Sequence, residues 1–275
     1  MSVATRVKLF NRICAGVLIA FALLWLMPLL WALDTALKPN AETTRTTWLI
    51  DDPTVAAFGR TLRETDIVSW FGASLFISTL TAVGTVLLGS LAAFALSRMR
   101  FRYRTAVFWF VLAGIMIPSQ VLIVPQFREM DSLGLLNTFW AVSLPQIPTA
   151  IAVFIFKQFF DGLPRELEEV ARMDGAGWLR IWRRIIMPLA RPAVSAVAIF
   201  AFVTSWNDLL WPLLVLSNPD IMTIPVGLAT VQGSFGIRYA DTMASALLGA
   251  VPLVAVFLLF QRNIVEGIAG SGLKG

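Results

Sequence analysis

The sequence predicts an all-α integral membrane protein with six transmembrane helices. Of its 275 residues, 57% are hydrophobic and only 14% are charged, and the mean hydropathy is +0.76. A soluble domain of this size needs a more highly charged surface. The apolar residues also form runs near the roughly 20 residues with which a helix crosses a bilayer. Because lipid cannot satisfy backbone polar groups, we expect these runs to be helices.

Six apolar runs are long enough to span a membrane. They are Ile13–Leu33, Phe71–Leu96, Thr105–Ile123, Phe139–Phe156, Pro192–Leu213 and Met243–Phe260. The first run resembles the apolar part of a signal peptide. It is longer than usual, however, and "ALDTALKP" offers no convincing cleavage site, so we expect a retained helix.

The distribution of lysine and arginine predicts the orientation. With the N-terminus in the cytoplasm, 16 of the 22 basic residues lie on the inner side, including the four arginines of "RMRFRYR". Cytoplasmic loops carry such an excess, so both termini are expected inside. The organisation predicted on this basis has three parts: an N-terminal stub with the first helix and outer loop at 1–69, a membrane core at 70–262 that includes a cytoplasmic loop at 161–191, and a cytoplasmic tail at 263–275.

Composition argues against an enzyme. The chain has no histidine and a single cysteine, Cys14, so it lacks the commonest general base, an internal disulfide and a thiolate metal cluster. No metal site and no catalytic residue is expected. The net charge is +5, and the basic residues flank the apolar runs. This placement indicates membrane topology, not nucleic-acid binding.

The loop at 161–191 carries an ordered charge pattern. Pro164 suits the first turn of a helix, and three glutamates follow where the helix dipole favours negative charge. We expect one helix at Glu166–Met173, stopped by Gly175. A second helix is expected at Trp178–Met187, ended by Pro188.

Leu167, Val170 and Ala171 fall on one face of the first predicted helix. Two interpretations are open at this point. The loop could rest its arginines on anionic lipid headgroups. It could instead dock a cytoplasmic partner, which also accounts for the glutamates, the apolar face and the glycine turn.

The spacing in this loop resembles that of a known family. Glu169-Val170-Ala171, then Gly175, then Ile185-Ile186-Met187-Pro188 is similar to the EAA loop of ABC-importer permeases. Val170 and Met187 depart from the pattern by conservative apolar exchanges. The resemblance implies that a cytoplasmic ATPase docks here, through residues Glu168, Glu169, Ala171, Asp174, Gly175, Ile185 and Pro188.

Two further stretches narrow the resemblance. "FVTSWNDLLWPL", residues 202–213, resembles the fifth span of the carbohydrate branch, and "EGIAGSGLKG", residues 266–275, resembles the tail of its maltose-type subunits. This implies a type I ABC-importer permease fold in the plasma (inner) membrane of a prokaryote. The implied partners are a second homologous permease, an ABC ATPase dimer, an extracytoplasmic solute-binding protein, a sugar substrate and the lipid bilayer.

ATP must act through a partner. No G-x-x-x-x-G-K-[ST] occurs in the chain, so it has no P-loop for phosphates. No cofactor is expected on this chain, and the resemblance assigns ATP and Mg to the partner ATPase. The glycine-rich tail is expected either to be ordered against the ATPases or to fray.

Polar residues within the fifth run are candidates for the substrate pathway: Trp206, Asn207, Asp208 and Trp211. Ionisable groups at membrane depth normally face a cavity or a partner. The alternative for Asn207 and Asp208 is a helix-capping or intersubunit hydrogen bond. The tryptophans could stack on sugar rings or anchor the helix at the interface.

Prolines interrupt the third and fourth runs near their outer ends, at Pro118, Pro125, Pro145 and Pro148. Such breaks are tolerated where protein or a wet cavity satisfies the freed backbone. Simple helix termini explain Pro118 and Pro125 equally well.

Two alternative functions remain open from sequence. A glycerol-phosphate-type importer shares the same branch, and too few outer basic residues are present to decide between sugar and phosphoester. An ion-coupled secondary transporter would show half-repeats and several intramembrane acids. No convincing half-repeat is found, and Asp208 is the only acid that we place well inside a span.

Overall fold

The computed structural model describes residues 3–43, 52–234 and 238–272, and side chains at 9–43, 52–230 and 238–258. All regular secondary structure in these segments is helical, which confirms the predicted class. The α-helices, numbered along the chain, are α1 (Val3–Ala36), α2 (Ala56–Glu64), α3 (Ile67–Arg98), α4 (Arg104–Ala113), α5 (Ile123–Ser132), α6 (Phe139–Ser143), α7 (Ala150–Asp161), α8 (Glu166–Met173), α9 (Trp178–Ile181), α10 (Met187–Leu189), α11 (Arg191–Trp206), α12 (Leu210–Val215), α13 (Ile224–Ser234) and α14 (Tyr239–Gly272).

The chain forms two compact units, which are described separately: Met1–Thr65 with Thr230–Ala250, and Asp66–Ala229 with Val251–Gly275. In the first unit, no residue in the most apolar stretch of α1 is buried by the rest of the chain. In the same unit, α2 packs on the start of α14 through small side chains. Arg60 Nη2 contacts Asp241 Oδ1 at 2.6 Å and secures this packing.

The second unit is built around α3. This helix of 32 residues is about 48 Å long at 1.5 Å per residue, longer than a bilayer core, and it packs against α7 and α11. Gly89 permits the close approach of α7, because a Cβ at this position would lie 3.1 Å from the Cβ of Ala152.

Two clusters of apolar side chains in the described part of this unit position the site. The first, which we call the lower core, joins the C-terminal ends of α3 and α7 to α8–α11, and its largest fully buried members are Phe156, Phe160, Ile181 and Ile186. The second joins α3, α5, α6 and α12 around Ile77, Val142 and Trp211. A cavity, described below, lies in the same unit.

Three of the predicted spans are continuous helices: Leu9–Ala36, Ile67–Arg98 and Tyr239–Leu258. The third and fourth runs are not continuous helices, and their breaks fall at the prolines that interrupt these runs in the sequence. The helices bend by 94° between Met116 and Ser119, and by 47° between Gln146 and Ala150. Prolines at 118, 145 and 148 cause both breaks, because proline has no N–H and clashes with the preceding turn.

The fifth predicted span also differs. α11 ends at Trp206 and the chain resumes as α12 at Leu210, so the run Pro192–Leu213 is not one helix. A further bend of 84° separates Trp178–Leu189 from Arg191–Asn207. At the break after Trp206, side-chain hydrogen bonds of Asn207 and Asp208 replace intrahelical ones, as described with the cavity.

The loop helix α8 has the predicted bounds, Glu166–Met173, whereas its neighbours require corrections. Pro164 precedes the helix and is not in its first turn. Pro188 does not end the second helix, which continues to Leu189 through a π-helical turn at Trp182–Ile186. The wider π turn relieves the clash that proline causes in an α-helix.

The tail was expected to be ordered by a partner or frayed. Instead, α14 continues through Gly272 as an extension of the last membrane helix. Adding a residue to an existing helix costs far less than nucleating a new one, so a glycine-rich segment can follow a long helix. Residues 273–275 lie outside the described residues.

Candidate functional site

Helix breaks surround a cavity of about 600 Å³ in the second unit. The segment after Pro118, the turn at Pro145–Thr149 and the turn at Asn207–Asp208 all contribute to its wall. The turns therefore place polar side chains and freed backbone beside a space that can hold water or solute. The polar lining residues are Thr81, Thr85, Ser119, Gln120, Gln126, Gln146, Thr149, Thr204, Asn207 and Asp208.

The cavity lining combines apolar walls with amides and hydroxyls. Isoleucines from α5 and α7 and Phe200 from α11 supply apolar surface. Amide and hydroxyl side chains both donate and accept hydrogen bonds, as sugar hydroxyls do. Among the described lining residues, Asp208 is the only one that carries a charge. Such a surface suits a polar solute with apolar faces.

Asp208 is held in place by neutral groups. Its Oδ2 accepts a hydrogen bond of 2.9 Å from Gln146 Nε2, which joins the turn after α11 to the turn before α7. Its Oδ1 lies 3.5 Å from the backbone nitrogen of Trp211, at the start of α12. Asn207 Nδ2 donates to the Val203 carbonyl at 2.8 Å and caps α11. Capping and cavity lining are therefore combined in the same pair of residues.

The two tryptophans of the predicted pathway have different positions. Trp211 lines the cavity, and its Nε1 donates to the Ala141 carbonyl at 3.0 Å. Trp206 is only 2% exposed and stacks on Phe202 with ring centroids 5.7 Å apart. Trp206 packs against its aromatic neighbours and is not among the residues that line the cavity.

The end of α8 is fixed by backbone hydrogen bonds. Ala176 N donates to Ala171 O at 2.9 Å, and Gly175 N donates to Arg172 O at 3.0 Å. This is the Schellman arrangement, which requires a left-handed residue after the helix. Gly175 provides it with φ +76°. The predicted sharp stop at Gly175 is therefore present.

The two faces of α8 have different surroundings. Ala171 and Glu168 face the lower core and are 9% and 6% exposed. The opposite face presents apolar side chains of Leu167, Val170 and Met173, the last of which is 80% exposed. The predicted apolar face is thus divided, because Ala171 packs on this chain while Leu167 and Val170 remain free for a partner.

Arg98, the last residue of α3, holds α8 against the lower core. Its Nη2 donates to the carbonyls of Phe160 and Leu163, the latter at 3.0 Å. Its Nε lies 2.9 Å from Glu168 Oε1, and both side chains are almost fully buried. Arg98 therefore joins three segments: the end of α3, the end of α7 and the first turn of α8.

Burial of this ion pair is costly. Desolvation raises the pKa of the Glu168 carboxyl above its ordinary value, although the Arg98 guanidinium opposes that shift. A buried pair of this kind contributes little net stability but penalises any arrangement that separates its members. We conclude that the pair fixes the position of α8.

The other predicted loop residues are at the surface or partly buried. Glu169 and Asp174 are exposed, Ile185 is half-buried against the lower core, and Pro188 is exposed. Sequence reasoning did not identify Gln146 or Arg98. Their positions in the sequence could have drawn attention to both residues. Gln146 lies between two prolines in an apolar run, and Arg98 follows the longest apolar run.

The sequence matches the family described as "binding-protein-dependent transport system inner membrane component" over residues 85–266. The chain belongs to this family. It is therefore a multi-pass permease subunit of a bacterial ABC importer and a non-catalytic transport component, and the alternative of an ion-coupled secondary transporter is excluded. The match covers all the lining residues of the cavity except Thr81, the 161–191 loop and most of the second unit.

Curated relatives match between 73% and 92% of this chain. The arabinooligosaccharides transport system permease protein of Halalkalibacterium halodurans is 38% identical over 92% of this chain and 93% of its own length. The sulfoquinovosyl glycerol transport system permease protein of Agrobacterium fabrum is 33% identical over 91% and 89%. The sn-glycerol-3-phosphate transport system permease protein of Yersinia enterocolitica is 36% identical over 73% and 74%.

A crystal structure has the same fold. A chain of a bacterial ABC transporter that imports the acidic polysaccharide alginate superposes with a TM-score of 0.83 at 22% identity, over 95% of this chain and 98% of that one. A second structure, of the alginate transporter in complex with a periplasmic protein bound to an alginate pentasaccharide, gives a TM-score of 0.65. These structures support the predicted permease fold.

Proposed function

We propose that this permease imports a sugar or oligosaccharide and forms half of the translocation pathway beside a second, homologous permease. The observation that carries the proposal is the cavity of amides and hydroxyls at the helix breaks. The 38% identity to an arabinooligosaccharide permease supports the same substrate class. An extracytoplasmic binding protein delivers the sugar to this cavity.

The loop at 161–191 is the proposed site of energy coupling. Leu167, Val170 and Met173 form an exposed apolar face on α8, and such faces are usually buried by a partner. The partner is a cytoplasmic ABC ATPase dimer that uses ATP and Mg, and this chain binds neither. Glu169, exposed on the first turns of α8, is available for a polar contact with the ATPase.

A movement of α8 reaches the cavity through α3, which moves as a rigid body. When the ATPase dimer closes, α8 moves, and Arg98 transmits the displacement to α3 because it is bonded to both sides of the junction. Thr85 lies on α3 about 20 Å from Arg98 at 1.5 Å per residue and lines the cavity. Rigid-body motion of α3 then changes access to the cavity.

An anionic glycerol phosphoester is the second candidate substrate. The observation that favours it is the 36% identity to an sn-glycerol-3-phosphate permease. Both candidates share the fold and the partners, and they differ in the charge of the solute.

Reconstitution with purified partners tests the proposal. The tagged chain is isolated in mild detergent with its ATPase and second permease, and the complex is placed in liposomes with its binding protein. We expect uptake of arabinotriose to require enclosed ATP and to persist when ion gradients are dissipated. Uptake that follows an ion gradient without ATP would refute the proposal. Uptake of sn-glycerol 3-phosphate but of no oligosaccharide would select the second candidate.

A further inference from the structure

We infer that this chain's half of the cavity accepts uncharged polyhydroxylated solutes and disfavours anions, because the Asp208 carboxylate lines it and the described lining residues include no lysine or arginine. The inference rests on the proposed function, since it names the solute class for the same cavity. It selects a neutral sugar over a phosphoester, a choice that the sequence left open.

The cavity contains the wrong groups for an anion. Sites for phosphate or carboxylate use arginine, lysine or converging backbone N–H groups. Among the described lining residues there is no lysine and no arginine. The polar side chains in the lining are neutral hydrogen-bonding groups, such as Gln120, Thr149 and Thr204, together with the carboxylate of Asp208.

The charge of Asp208 is not neutralised by its partners. Gln146 and the backbone of Trp211, which hold the carboxylate, are both uncharged. None of the ion pairs found among the described residues includes Asp208. A hydrogen-bonded amide orients a carboxylate without removing its charge. The field of Asp208 therefore extends into the cavity.

Coulomb repulsion sets the expected size of the effect. Two like charges about 6 Å apart in a medium of effective dielectric about 20 disfavour the approach by roughly a hundredfold. Water in an open cavity reduces this effect, so we expect about tenfold discrimination against an anion. A neutral sugar pays no such penalty, and its hydroxyls can bond to the carboxylate and the amides.

Thiol chemistry measures the potential directly. Cys14 is the only cysteine in this chain, so Cys14→Ala gives a chain without thiols, and Thr204→Cys then places one thiol on the cavity wall. Modification is followed as the mass shift of this chain, which separates it from any thiols of the partner subunits. In the purified importer, we compare modification by a cationic trimethylammonium methanethiosulfonate and an anionic sulfonate methanethiosulfonate. Each rate is divided by the rate of the same reagent with a free small thiol.

The expected ratio of normalised rates favours the cation by about tenfold. Asp208→Asn should bring the ratio close to one, and Asp208→Glu, which keeps the charge, should preserve it. Asp220→Asn is the matched control, because this exposed acid lies outside the cavity, and it should leave the ratio unchanged.

A ratio near one in the parent protein, or a ratio that Asp208→Asn does not change, would overturn the inference. The thiol measurement does not depend on transport, so failure of the proposed function and failure of the electrostatic inference give different results. If the ratio favours the cation but no carbohydrate is imported with ATP, the proposed function fails and the electrostatic inference stands. If carbohydrate is imported but the ratio is near one, only the inference fails.

Discussion

Arg98 shows how a single side chain can position an element. It is a cation at the end of a long apolar helix, where a position at the membrane surface would normally leave it in water. The structure instead buries it against two carbonyls and the Glu168 carboxylate. Removing one member of a buried pair costs more than the pair contributes, because it leaves the other member without compensation.

At this scale we predict that Arg98→Ala lowers the free energy of unfolding by about 3–5 kcal/mol, because Glu168 and two carbonyls lose their partner. The measurement is thermal unfolding of the purified complex in detergent. Arg100→Ala is the matched control, since Arg100 is exposed two residues away, and it should change stability by less than about 0.5 kcal/mol.

A double variant separates positioning from stability. Arg98→Met with Glu168→Leu removes both charges, and we expect it to recover most of the lost stability. It should still give less uptake per ATP hydrolysed, because α8 is no longer held in one position. Equal stability of the single and double variants would show that the two side chains do not act as a pair.

At the scale of the element, the angle between α8 and α9 depends on the turn at the C-terminal end of α8. The Schellman hydrogen bonds place the chain in a left-handed conformation at Gly175, so that α9 can leave at an angle and return to the lower core. Space is not limiting here, since nothing lies within 4 Å of a Cβ built on Gly175. The constraint on this residue is conformational.

We predict that Gly175→Asp keeps the protein in the membrane but lowers uptake per ATP by about tenfold, equivalent to about 1.4 kcal/mol. A side chain in the left-handed region costs about 1–2 kcal/mol, and a carboxylate is unfavourable at a helix C-terminus. Simultaneous assays of ATP hydrolysis and uptake in liposomes measure the effect.

Gly177→Asp is the control for the added charge. Gly177 has an ordinary φ of −72° and no atom within 4 Å of a built Cβ, so coupling should be nearly normal. Gly175→Asn, which is isosteric without the charge and tolerates φ above zero, should fall between the two. Normal transport by Gly175→Asp would contradict the prediction.

At the scale of the whole molecule, the pattern of basic residues and the helix lengths together define a membrane protein with up to six spans. Three are continuous helices, and three correspond to bent pairs in the described part of the chain. The bent helices carry most of the cavity wall, whereas the straight α3 links that wall to the loop.

We predict that both termini and the 161–191 loop face the cytoplasm, because most lysines and arginines fall on that side. In the Cys14→Ala background, Arg63→Cys on α2 should react with a membrane-impermeant maleimide in intact cells. Glu166→Cys on α8 should react only after permeabilisation. Both positions are exposed, so a difference in labelling reports the side of the membrane. The reverse pattern would invert the assigned orientation.

The sequence alone determined the class of protein, the apolar runs and the bounds of α8. These follow from local chemistry: lipid requires helices, glutamates favour a helix start, and Gly175 permits the stop. The resemblance in the same loop also indicated the family, which the match over residues 85–266 then established.

Only the tertiary structure decided which polar residues meet. Gln146 and Asp208 are 62 positions apart and form one hydrogen bond. Arg98 reaches the carbonyls of Phe160, near the end of α7, and of Leu163, just beyond it. In the tertiary structure Trp206 is buried in the interior and Trp211 lines the cavity, although both lie in the same short motif. The spacing of residues along the chain determines which of them share one face of a helix. The segment that packs against that face depends on how the broken helices are arranged in the fold. That packing is a long-range property, which no local pattern encodes.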